Sequence, residues 1–190
     1  EELGFPVVKF EVSDGSGLMS YHEEFALDGK MIDEQLRYAA ALGLTVVFDI
    51  GRYGGCCWQA KQLAAAAGRY PVLQFVVCHL LAPQGRSYEN DWREAMKMLN
   101  LDNIVFDLAS LSSNQRPEPY PYPTAIWFIK EAMHILGADR MMWGSDLPSN
   151  LCGDTYRHLF GYILDSSAFT ESEKESMLWR TAERIYFGGA

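Results

Sequence analysis

Two residues in this sequence stand where chemistry is easiest to build. His79 directly follows the apolar run Gln74-Phe75-Val76-Val77-Cys78, and Asp146 lies in Trp143-Gly144-Ser145-Asp146-Leu147-Pro148, just past a second short apolar run. An imidazole and a carboxylate at the mouths of parallel strands can hold a divalent metal such as zinc. They can also act without one, the carboxylate as general base and the imidazole polarising a carbonyl. Two plainer roles stand beside these: His79 as a hydrogen-bonded core histidine, and Asp146 as an N-cap or turn residue.

Other charged groups share these strand positions. Lys9 and Glu11 lie two apart in Val7-Val8-Lys9-Phe10-Glu11-Val12 and so point to one face. Asp49 and Asp107 end similar runs, and a buried charge needs a partner. An internal salt-bridge network accounts for Glu11 and Asp107; for Lys9 and Asp49 a role in the site is equally open. Arg52, Arg86 and Arg116 fall on three successive loops, where with Lys9 they are candidate substrate-binding groups for an anion, or simply surface arginines. The loop aromatics Tyr21, Tyr53, Trp58, Tyr88, Tyr120 and Tyr122 would suit a ring-shaped substrate. His22 reads as a solvated loop residue, and His134 and His158 as helix-surface or packing residues. There is no HxH, HExxH, CxxC, GxSxG or P-loop pattern, which removes the usual support for zinc-protease, redox-thiol, serine-hydrolase and nucleotide-binding readings.

What must position these groups is an alternation of short apolar runs and helical periods, the pattern of a parallel sheet covered by helices, hence α/β. Strands are expected at 7–12, 45–50, 74–78, 103–108 and 140–143. Helices are expected at 30–42, 58–67, 122–136 and 155–164, with glycines at 43, 68 and 137 closing the first three. A last helix opens on Thr170-Glu171-Ser172-Glu173, a capping-box spacing, and turns Met177, Leu178, Ala182 and Ile185 inward. The loops 13–29, 51–57, 80–88, 109–121 and 145–154 follow the strands, where functional groups gather in such sheets.

The composition bounds the partners. The 190 residues carry 16 Lys+Arg against 25 Asp+Glu, a net charge of −9, which argues against a nucleic-acid partner. At 48% hydrophobic the chain can bury a core, and it reads as a single domain over 1–190. Without an apolar run of membrane length it reads as soluble, with no membrane partner. Four irregularly spaced cysteines do not form a disulfide framework, so a cytoplasmic location is the expectation.

The run Tyr70-Pro71-Val72-Leu73-Gln74-Phe75-Val76-Val77-Cys78-His79-Leu80, with Pro83 after it, resembles the sixth strand of amidohydrolase-related proteins, members of the amidohydrolase superfamily of TIM barrels. Gly4 to Phe10 resembles the region of the fourth strand, Gly137 to Pro148 the eighth, and Thr181 to Phe187 the closing helix. The resemblance implies a partial TIM barrel of about five βα units, strands four to eight, plus a C-terminal helix. It further implies a hydrolase acting on a small-molecule amide or lactone, or in one branch a decarboxylase of aromatic or unsaturated acids. His79 would bind a metal or polarise the substrate; Asp146 would bind the metal or take a proton from water. The family's first-strand HxH pair is missing with the first three strands. The fifth strand, where many members place a histidine, ends in Asp49-Ile50-Gly51, as fits a lactonase-like branch.

Five strands cannot close an eight-stranded barrel, and eight units take about 250 residues. Glu1, which is not an initiator Met, reads as a cut edge, with the N-terminal part of a barrel missing. Two open sheet edges would then invite pairing, as a homo-oligomer for instance. A third reading follows, that the chain folds or associates but turns nothing over.

Overall fold

The computed structural model describes residues 4–13, 17–18 and 25–188. Strands β1 (Val7–Glu11), β2 (Thr45–Asp49), β3 (Phe75–Val77), β4 (Ile104–Asp107) and β5 (Met141–Met142) form one parallel sheet in chain order. Helices α1 (Lys30–Leu42), α2 (Ala60–Arg69), α3 (Glu89–Met98) and α4 (Pro123–Leu136) lie between successive strands. Beyond β5 come α5 (Tyr156–Leu164), α6 (Glu171–Glu175), a π-helical turn over Ser176–Arg180, and α7 (Thr181–Phe187).

The period of two along each strand sorts its side chains between two layers. Val46, Phe48, Phe75, Val77, Ile104, Phe106 and Met141 face the helices, and the rings of Phe10, Phe48 and Phe75 stack across three strands at 4.9 and 6.0 Å. Val47, Val76, Val105 and Met142 face the other way and meet Ala182, Ile185 and Tyr186 of α7. The C-terminal segment therefore serves both layers, with Met177 in the helix-side core and the last turns of α7 on the opposite face. The Thr170–Glu173 capping box forms as its spacing predicts.

Three expectations shift. The second helix runs through Gly68 to Arg69 rather than stopping at 67, because Tyr70 precedes Pro71 and a residue before proline avoids helical geometry. The strands at 74–78 and 140–143 are shorter, with β3 turning aside after Val77. The outer edge of β5 is not open: the Trp143 amide donates to the Met177 carbonyl at 2.6 Å, inside the π turn. Helix α3 has no counterpart among the expected helices. Its buried residues Trp92, Ala95 and Met96 carry the i, i+3, i+4 spacing of one face. Among the described residues no helix is long and apolar enough to cross a membrane.

Candidate active site

The register fixes what meets at the C-terminal end of the sheet. Val47, Val76 and Val105 stand level across β2, β3 and β4. Two residues further along the same face come Asp49, Cys78 and Asp107, so polar groups crown an apolar floor.

Each of β2 to β5 is followed by a residue in the left-handed region: Gly51 (φ 67°), His79 (61°), Ser110 (58°) and Asp146 (48°). After β3 the conformation persists through Leu80, Leu81 and Ala82. Each non-glycine residue held this way costs about 1–2 kcal/mol, so the surroundings must fix the turn. They do so through the buried side chains of Leu80 and Leu81, the Trp92 indole N–H donated to the Leu80 carbonyl at 2.9 Å, and the Ala82 amide donated to the His79 carbonyl at 2.8 Å.

The turn delivers the imidazole of His79 into the crown of carboxylates. Its Nδ1 lies 2.9 Å from the Ala109 carbonyl, which can only accept, so the ring proton sits there. Nε2 faces Asp49 Oδ2 at 3.1 Å. Asp107 Oδ1 lies 3.6 Å from Nδ1 and accepts the His79 and Ala109 amides at 2.8 and 3.0 Å. Asp49 Oδ1 accepts the Gly51 amide at 2.9 Å. Two lone pairs cannot face each other at 3.1 Å without a positive species between them, so the His79–Asp49 contact holds either a proton or a cation. With a proton the ring is imidazolium. Burial works against that charge, but the bonds and fields of Asp107 and Asp49 outweigh it and push the His79 pKa up to about 10. Burial likewise opposes the Asp49 carboxylate, and His79 and the Gly51 amide more than offset it, lowering its pKa.

The same atoms fit a metal. One ligand atom each from Asp49, Cys78 and His79 lies within 4.8 Å of the others. Two ligands bound at about 2.0–2.2 Å in a tetrahedron stand a little over 3 Å apart, the spacing of Nε2 and Oδ2, and a ring N–H given to a backbone carbonyl is the usual support of a metal-bound histidine. Cys78 is the weakest member: burial, then the charge of Asp107, pushes its thiol up.

Asp146 is held by the same loop that receives the His79 ring. Its Oδ2 accepts the Ser110 hydroxyl, and Asn150, buried, donates to Ser110 Oγ at 3.0 Å and to the Ser145 carbonyl at 2.9 Å. The candidates His79 and Asp146 are thus held by consecutive residues of one loop, Ala109 and Ser110. Sequence reasoning passed over Ser110 and Asn150; their one signal was a place on the loops that follow β4 and β5. Lys9 is exposed and pairs with Glu11 at 3.2 Å. The three arginines have different partners. Arg52 bonds to Gln84 on the wall of a cavity of about 250 Å³ that Tyr53, Tyr88 and Trp92 also line. Arg86 pairs with Glu89 at 2.7 Å over the Trp127 ring, while Arg116 lines a second cavity. Tyr21 and His22 lie outside the described residues.

A family model described as amidohydrolase matches residues 1–188. Solved structures share the fold: a zinc-bound amidohydrolase from Burkholderia multivorans at 17% identity and TM-score 0.73, matched over 94% of this chain and 63% of its own. A Pseudomonas putida protein provisionally named a 2-pyrone-4,6-dicarboxylic acid hydrolase gives 16% and 0.74, over 98% and 64%. A 2,6-dihydroxybenzoate decarboxylase complexed with 2,6-dihydroxybenzoate gives 14% and 0.61, over 100% and 64%. The chain thus spans 63–64% of the length of these structures, as a partial TIM barrel of five βα units. No curated protein matches the sequence.

Proposed function

This chain belongs to the amidohydrolase family, and from that premise we propose that it carries the water-activating half of a hydrolase site for an amide or lactone carbonyl. The observation that carries this reading is the His79 ring, tied between Asp49 and the Ala109 carbonyl beside a loop that also holds Asp146. In its protonated form His79 polarises the carbonyl oxygen through Nε2–H once substrate displaces Asp49. Asp146, its carboxylate oriented by Ser110, takes the proton of the attacking water. A divalent metal such as zinc, where bound, would be held by Asp49, His79 and Cys78, and would supply Lewis-acid polarisation at the same point. Arg52, which bonds to the neutral Gln84 and meets no carboxylate among the described residues, is the cationic group offered to a substrate carboxylate in the aromatic cavity.

The full chain, with and without added zinc, should hydrolyse lactones or amides, and Asp146→Asn should lower the rate by about 10²–10⁴. Hydrolysis undiminished in that variant overturns the assignment. A second reading, decarboxylation of an aromatic acid, is favoured by the same cavity, where Tyr53 packs on Trp58 and Tyr88 at 5.6 and 5.4 Å. Release of carbon dioxide from benzoate-type acids without lactone hydrolysis selects it. Turnover of neither class selects a barrel portion that folds without catalysing.

A further inference from the structure

The loops after β4 and β5 enclose a cavity of about 460 Å³ that includes Arg116, Tyr120, Tyr122, Asp154 and His158 in its wall. Its charges are unevenly satisfied. Glu118 spends both oxygens on Thr124, accepting the amide at 3.0 Å and the hydroxyl at 2.7 Å. Asp154 accepts the Thr155 amide at 2.8 Å, His158 Nδ1–H at 2.9 Å and the Tyr122 hydroxyl, and its side chain is only 8% exposed. Arg157 is bound to Asp165 at 2.8 Å. Arg116 has no such partner: among the described residues its guanidinium meets no carboxylate, and it lies flat on Gly153, where any side chain would run into it.

His158 is built as a positioned group rather than a surface ring. Asp154 fixes its Nδ1 proton, Tyr122 fixes Asp154, and Tyr120 stacks on the imidazole at 4.4 Å and 25° while its own hydroxyl is anchored on Asp165 at 3.1 Å. Among the described residues no partner meets the other ring nitrogen, Nε2. In a molecule of net charge −9, a cavity whose carboxylates are all engaged and whose guanidinium is not selects negative ligands.

The geometry points to an oxyanion site in this cavity, where Arg116 and His158 clamp a small carboxylate or phosphate and Asp154 and Tyr122 act as positioning residues for the His158 ring. An oxyanion at Nε2 opposite Asp154 at Nδ1 would give the ring a hydrogen-bond partner at each nitrogen. The site depends on no step at His79 and stands or falls separately from the hydrolase reading.

The test is a titration of the full chain with sodium phosphate and, separately, sodium benzoate, followed by the ring nitrogen resonances of His158, with His134 on α4 as internal reference. Saturable movement of His158 alone is expected with at least one anion. Saturation by benzoate only identifies an organic carboxylate as the ligand, and saturation by phosphate only identifies a free or esterified phosphate. Arg116→Gln, at an exposed position, should weaken binding at least tenfold, as should Gly153→Ala by displacing the guanidinium. Parallel, unsaturable drift of both histidines, or unchanged affinity in Arg116→Gln, overturns the site.

Discussion

His79 Nε2 stands 3.1 Å from Asp49 Oδ2 while the other ring nitrogen gives its proton to a main-chain carbonyl. A pair of acceptors at that separation requires a positive species between them, and the first predictions concern which one it is.

In the absence of metal, stability should follow the titration of this pair. A histidine whose folded pKa is raised to about 10 stabilises fully below its unfolded value near 6.5, and that contribution disappears as pH rises through about 10. Asp49, lowered on folding, contributes above its ordinary range near 3.8 and loses its share as pH falls below that. The pair thus stabilises most at about pH 4–6.5. Chemical denaturation should show a decline toward pH 10 of up to a few kcal/mol, and Asp49→Asn should flatten the slope. A wild-type curve that is flat from pH 6.5 to 10 contradicts the imidazolium.

Zinc should compete with that proton. Calorimetric titration of the chain at neutral pH should show binding accompanied by proton release, a rise in Tm, and loss of both in His79→Asn. Cys78→Ser separates three-ligand from two-ligand binding. Affinity falling by tenfold or more places the thiolate on the ion, whereas unchanged affinity leaves Asp49 and His79 to hold it alone.

Ser110 acts through Asp146. Removing its hydroxyl takes away a donor that orients the carboxylate. Ser110→Ala should therefore lower kcat with KM little changed, with a smaller rate loss than Asp146→Asn. An unchanged kcat would mean that Ser110 serves only as packing.

The strand-end turns give a stability contrast. Ala82 sits at φ 47°, so Ala82→Gly should stabilise by about 0.5–1 kcal/mol through relief of the left-handed conformation. Gly51→Ala should destabilise by about 1–2 kcal/mol or more, since its φ is 67° and the added Cβ would lie 2.7 Å from Cys57 Sγ. Thermal melts of both variants decide.

The sheet could be read from sequence because β-branched and aromatic residues alternate with helical periods, and that pattern survives packing. His79 and Asp146 were visible for a related reason, as polar residues at the ends of apolar runs. What could not be read is how the backbone turns there. Nothing in Cys78-His79-Leu80-Leu81-Ala82-Pro83 announces four left-handed residues, since none is glycine and it is burial, the Ala82–His79 bond and the Trp92 and Asp107 bonds that hold them. The link from His79 through Ala109 and Ser110 to Asp146 was hidden for the same reason, because it depends on two loops meeting rather than on any spacing. The arginines show what counting loops leaves out: a place on successive turns does not say that Arg52 bonds to Gln84 and Arg86 to Glu89.

The bond from the Trp143 amide to the Met177 carbonyl ties the chain's last segment to the residue three before Asp146. Whatever strains or cuts the C-terminal helices is therefore passed on to the segment that leads to Asp146. A clip after Glu175 would spare the aromatic-stacked half of the sheet yet release the strand that aims the carboxylate, so the tail works as a mooring for the site as much as a cover for the fold.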